Sequence, residues 1–153
     1  MKKLLIIIIA LLSVNTIAYG QDVNAYIELL RADVKTQRIA IIKENMQFTE
    51  AESSAFWPVY KEFEYELDRI NDERVELIKD YARNYFNLTD EKSEELIKKV
   101  FKWEEKRIKL KKKYFKKFKK ALSSIIAAQF FQLERQISLL IDLQIASQLP
   151  LIK

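Results

Sequence analysis

The stretch that decides the fold runs from residue 56 to residue 81, FWPVYKEFEYELDRINDERVELIKDY. Its apolar side chains fall at Phe56, Tyr60, Phe63, Leu67, Ile70, Leu77 and Tyr81, stepping by three and four, with Arg74 in the one polar slot. That spacing is the stripe of an amphipathic α-helix. Downstream, a second stripe is read at Ile97, Phe101, Ile108, Phe115, Phe118 and Leu122, with Glu104 and Lys111 at two positions where apolar residues are expected. The reading gives four long amphipathic helices, over residues 22–46, 50–86, 90–121 and 124–147, with Pro150 closing the last. The fold class is all-α.

Composition agrees. The 153-residue chain has one glycine, Gly20, and two prolines, so the left-handed turn positions that hairpins favour are missing beyond residue 20. There is no His and no Cys. Ser-His-Asp and Cys-His catalysis, ordinary zinc sites and disulfides are thereby excluded, and Gly-rich phosphate loops go with the glycines. No pair of titratable groups forms a recognisable catalytic arrangement, so the chain is read as a non-enzyme without metal or cofactor.

The first twenty residues read as an export signal. Lys2 and Lys3 precede an apolar run from Leu4 to Leu12, and Ala18-Tyr19-Gly20 supplies small residues for a cut after Gly20. The alternative is an uncleaved anchor, but nine continuous apolar residues fall short of the roughly 20 needed to span a bilayer. No Cys follows, so a lipoprotein anchor is excluded. Residues 21–153 are then one helical domain acting outside the cytoplasm, in the periplasm, where nucleic acid is not an expected partner.

The expected helix starts share one chemistry. Phe48-Thr49-Glu50-Ala51-Glu52 places a Thr cap three residues before a Glu, the pattern of a reciprocal capping box. Leu88-Thr89 and Leu122-Ser123 open the next two helices in the same way. Pro58 falls inside helix two, where it removes a backbone bond to the Ser54 carbonyl and predicts a bend. The other reading is that helix two begins later.

Charge is strongly segregated. Residues 21–97 carry 10 basic and 18 acidic side chains, whereas residues 98–120 carry 13 basic and two acidic. Within 109–120 eight of twelve residues are Lys, interleaved with Leu110, Tyr114, Phe115 and Phe118. Eight Lys–Lys pairs lie three or four apart, so at roughly 0.2–0.5 kcal/mol each the self-repulsion is on the order of 2–4 kcal/mol at low salt. Helix two lying antiparallel beside this rod would offset part of it; an external acidic or amphiphilic partner is expected to offset the rest. The expected contact residues are Lys109, Lys112, Lys113, Lys116, Lys117 and Lys120, with Tyr114, Phe115, Phe118 and Trp103 adding apolar area. Lys attracts without the bidentate geometry of Arg, which suits loose binding of varied partners. Unfolded chains, acidic peptide and anionic lipid surfaces all fit this chemistry.

The apolar-Thr-x-x-Glu opening followed by Phe56-Trp57-Pro58-Val59-Tyr60 resembles the Spy/CpxP family of periplasmic proteins, whose marker is a repeated Leu-Thr-x-x-Gln. Phe48-Thr49-Glu50-Ala51-Glu52 would be the first copy, with Phe for Leu and Glu for Gln; Leu122-Ser123-Ser124-Ile125-Ile126 would be the second, with Ser for Thr and Ile for Gln. Ala128-Gln129-Phe130-Phe131-Gln132-Leu133-Glu134 is also similar to members of the family. The resemblance implies bent helical hairpins paired as a curved homodimer. It also implies one of two functions: an ATP-independent chaperone of envelope stress that holds unfolded or partly folded proteins, or a regulator docking on the extracytoplasmic domain of a membrane sensor kinase or a sigma/anti-sigma system.

Overall fold

The computed structural model describes residues 23–152, with side chains from residue 35 onward; the expected signal segment, residues 1–20, lies outside the described residues. Among the described residues the architecture is four helices and no strand. They are α1 (Val23–Met46), α2 (Glu50–Asn84), α3 (Asp90–Ala121) and α4 (Ser124–Gln148), with a short 3-10 turn, Tyr85–Asn87, after α2. The chain divides into two compact units, Met1–Ala40 and Ile41–Lys153. Of the first, the described part is residues 23–40 of α1. All that follows concerns the second.

The helix starts form as their sequences demand. The Thr49 hydroxyl accepts from the Glu52 backbone N–H at 3.3 Å, and Glu52 Oε2 accepts from the Thr49 N–H at 2.9 Å, which completes the capping box. The Thr49 backbone N–H foremost, and then its hydroxyl, which donates to the same carboxylate oxygen at 2.9 Å, hold the Glu52 carboxyl below its ordinary range. Ser123 caps α4 from one side only, accepting from Ile126 N at 3.2 Å, since Ile126 has no side-chain acceptor to return the bond. Between α1 and α2, Gln47 takes a left-handed φ of 45°, a post-helix position usually given to glycine. The Phe48 ring rests 4.5 Å from that of Phe56, so an aromatic contact spans the start of α2.

Helix α2 runs unbroken through Pro58, which excludes the later start. Pro58 and Ser54 are both exposed, so water can reach the carbonyl that loses its donor. The end of α2 comes at Asn84 rather than residue 86: Asn84 Nδ2 donates to the Asp80 carbonyl at 2.7 Å and to its carboxylate at 2.9 Å, and this side-chain competition accompanies the tighter final turn.

The core is aromatic. Phe56, Tyr60 and Phe63 of α2, Tyr114 and Phe118 of α3 and Phe130 of α4 are buried, and their rings meet at centroid distances such as 5.1 Å for Phe56–Phe118 and 4.7 Å for Phe118–Phe130. Each ring removes a large apolar area from water, and edge-to-face contacts add about 0.5–1.5 kcal/mol per pair. The expected second stripe is corrected here. The face of α3 turned into the core is Leu96, Trp103, Leu110, Tyr114 and Phe118, whereas Ile97, Phe101 and Ile108 are exposed and Phe115 is half-buried. The tail after α4 is tied back to the end of α2, with the Tyr81 hydroxyl donating to the Pro150 carbonyl at 2.7 Å.

Candidate functional site

Helix α3 turns one side of its lysine run toward α2. There Lys117 meets Glu62 at 2.7 Å, Lys113 meets Glu66 at 2.6 Å, Lys106 meets Glu73 at 2.6 Å and Lys99 meets Asp80 at 3.5 Å. The acids advance along α2 by four, seven and seven residues while the lysines retreat along α3 by the same steps, which is the register of two antiparallel helices. Each exposed pair contributes little, about 0–1 kcal/mol, but the ladder fixes which turn faces which. Tyr114 joins it from inside, its hydroxyl donating to Glu66 at 2.7 Å. The bonds from Lys113 and Tyr114 hold the Glu66 carboxyl below the usual range, while burial, then the bond to Glu66, pushes the Tyr114 phenol well above its own.

A second polar cluster joins α2, α3 and α4. Arg74 and Arg107 place their guanidinium groups over the Trp103 ring, at 4.8 and 4.7 Å, and both reach Asp142, at 2.5 and 3.4 Å. The Trp103 indole N–H donates to the Ile70 carbonyl at 3.0 Å. One turn nearer the α3 end, Lys111 lies 2.6 Å from Glu134, which is only 2% exposed and also accepts from the Ser138 hydroxyl at 2.7 Å. The Lys111–Glu134 contact is an ion pair off the line of an aligned hydrogen bond. Arg74 and Lys111, which interrupt the apolar stripes in the sequence, are therefore, together with Arg107, cations that neutralise carboxylates on α4.

On its remaining side α3 forms an open groove with α4, of about 820 Å³. Ile108 and Leu139 are 53% and 55% exposed within it, and half-buried Phe115 and Phe131, whose rings lie 6.0 Å apart, line it too. Lys112, Lys116 and Arg135 stand along the same groove, with Glu104 toward the other end. Among the described residues no carboxylate is within ion-pair distance of Lys112, Lys116, Lys119 or Lys120. Lys109 has only a long 3.9 Å contact to Glu105 on its own helix.

The structure thus divides the expected contact residues. Lys112, Lys116, Lys120 and Phe115 are accessible; Lys113 and Lys117 are engaged with α2, and each also lies over the Tyr114 ring, at 5.2 and 4.7 Å. Tyr114, Phe118 and Trp103 are corrected: they are 0%, 0% and 6% exposed and present no ring surface to a partner. Phe48, Thr49, Glu52, Leu122 and Ser123 are helix-boundary residues, Leu122 donating its N–H to the Phe118 carbonyl at 2.9 Å. Leu139 and Arg135 were not among the expected residues. Their signal is that α4 is apolar around most of its circumference, with only Glu134, Arg135 and Asp142 charged, more than one buried face needs.

Among the described residues no group of three or more acidic, His or Cys side chains is arranged to hold a metal ion, and no helix is long and apolar enough to cross a membrane. Comparison with family models, curated proteins and solved structures finds no match to the chain.

Proposed function

We propose that this protein is an ATP-independent holdase of the periplasm, holding unfolded or amphiphilic polypeptides during envelope stress. One observation carries the reading: the α3–α4 groove joins exposed apolar side chains, Ile108 and Leu139, to lysines without partners, Lys112 and Lys116, among the described residues. Unpaired cations draw in a net-acidic or amphiphilic chain over distances that salt screens beyond about 8–10 Å, and the apolar floor then retains it weakly. Single lysines turn without fixed geometry, so clients of different sequence are held alike. The similarity of the Thr49 and Ser123 segments to the Leu-Thr-x-x-Gln marker points the same way.

The test is an aggregation assay without nucleotide, using two unrelated denatured clients at low and moderate salt. The chain is expected to delay aggregation of both, more at low salt, and Lys112→Gln/Lys116→Gln is expected to lose most of that protection. Protection of neither client overturns the reading. A regulator docking on a sensor's extracytoplasmic domain would give that result together with saturable binding to one partner.

A further inference from the structure

We infer that the occupant of the α3–α4 groove is an amphipathic helix of the client, carrying acidic residues beside its apolar face. This rests on the holdase reading and narrows it, because holding unfolded chains does not by itself require the bound segment to be helical.

Backbone chemistry argues for a helix. Both walls of the groove are α-helices, whose backbone N–H and C=O groups are already joined within each helix, so the groove offers no edge for an added strand. An extended segment laid over Ile108 and Leu139 would turn unpaired peptide groups toward an apolar floor, where each group left unsatisfied opposes binding. A helix brings its peptide groups already paired and sets side chains at every third or fourth residue into the furrow between two antiparallel helices. From Glu104 to Lys116 the groove spans twelve residues of α3, about 18 Å, which accommodates about three turns.

Charge argues for the flank. Of the two acids that line the groove, Asp142 is held by Arg74 and Arg107, and Glu104 lies toward the end away from Lys116. Lys112, Lys116 and Arg135 therefore leave the other end positive, and acidic side chains of the client would lie there. A concave lining also suits a rod better than a bilayer, which would rest on the two helix ridges rather than on the floor between them.

The test uses the full chain and four dye-labelled peptides, read by fluorescence anisotropy. The first carries apolar residues at i, i+4, i+7 and i+11 flanked by Glu. The second is its scrambled isomer, the third has a central Pro, and the fourth replaces Glu with Lys. The first is expected to bind about tenfold or more tightly than the scrambled and Pro forms, as the loss of one paired peptide group implies. Lys112→Glu/Lys116→Glu is expected to reverse the preference between the Glu and Lys peptides, which a merely unfolded variant cannot do. Binding of the scrambled and Pro peptides as tight as that of the first overturns the helix, and an unchanged charge preference in the variant overturns the assignment to this groove. Binding to anionic phosphatidylglycerol vesicles through Lys112 and Lys116, with none to the Glu peptide, replaces the peptide with a lipid surface. If clients still resist aggregation in any of these cases, the inference falls and the holdase reading stands; if aggregation is unaffected by the chain, the holdase reading itself fails.

Discussion

The two sides of α3 hold the same residue types and put them to opposite uses. Facing α2, Lys113 and Lys117 are neutralised by Glu66 and Glu62, and Tyr114 and Phe118 lie wholly inside. Facing the groove, Lys112 and Lys116 have no carboxylate among the described residues, and Ile108 stays in water beside Phe115. A lysine-rich helix is therefore not a single surface. Its charge excess becomes two populations once a neighbouring acidic helix settles on one side, and among the described residues only the other population is left without carboxylates.

The largest effects should come from the inner side. Phe118→Ala is expected to cost about 3–5 kcal/mol in urea denaturation, because Phe118 touches rings from both α2 and α4. Phe115→Ala should cost less than half as much; equal costs would erase the distinction between the two faces. Next comes Lys111→Met, expected to lose about 3 kcal/mol by leaving Glu134 buried without its cation. Adding Glu134→Leu should recover most of that loss, and a single variant as stable as wild type would mean that the pair holds nothing.

Titration sharpens the same contrast. Glu66 has its folded pKa depressed by Lys113 and Tyr114, so its contribution is present above the unfolded carboxylate range and lost as pH falls through the lower folded value. Tyr114 has its folded pKa raised by burial and by Glu66, so its contribution is complete below the unfolded phenol value and declines once pH rises past it, near pH 10. Thermal midpoints should fall at both extremes, with Glu66→Gln flattening the acid limb and Tyr114→Phe the alkaline one. A profile unchanged by either variant contradicts the pairing. The smallest stability effect belongs to the outer side: Lys112→Gln/Lys116→Gln should shift the unfolding free energy by about 0.5 kcal/mol or less, toward greater stability, as like charges are relieved.

The helix boundaries at Glu50, Asp90, Ala121 and Ser124 were legible in the sequence because each start is set by a local cap, Thr49, Thr89 or Ser123, whose chemistry needs no tertiary partner. The face of α3 was not. Ile97, Phe101 and Ile108 follow one helical stripe and Leu96, Trp103, Leu110 and Tyr114 another beside it, and periodicity alone does not choose between neighbouring stripes. Glu104, which is exposed, carried the hint that the first stripe is the wetter one, whereas Lys111 on the same stripe turns inward to Glu134. Which lysines would be neutralised was beyond reach from local pattern, since it depends on the register that sets Glu62 and Glu66 against Lys117 and Lys113.

The most direct test measures client affinity and unfolding midpoint together in two double variants of equal charge change. Lys112→Gln/Lys116→Gln should lose affinity and its salt dependence while keeping its midpoint; Lys113→Gln/Lys117→Gln should lose midpoint and keep most of its affinity. The reverse assignment, or equal loss of affinity in both, would contradict a division of labour between the two sides of α3.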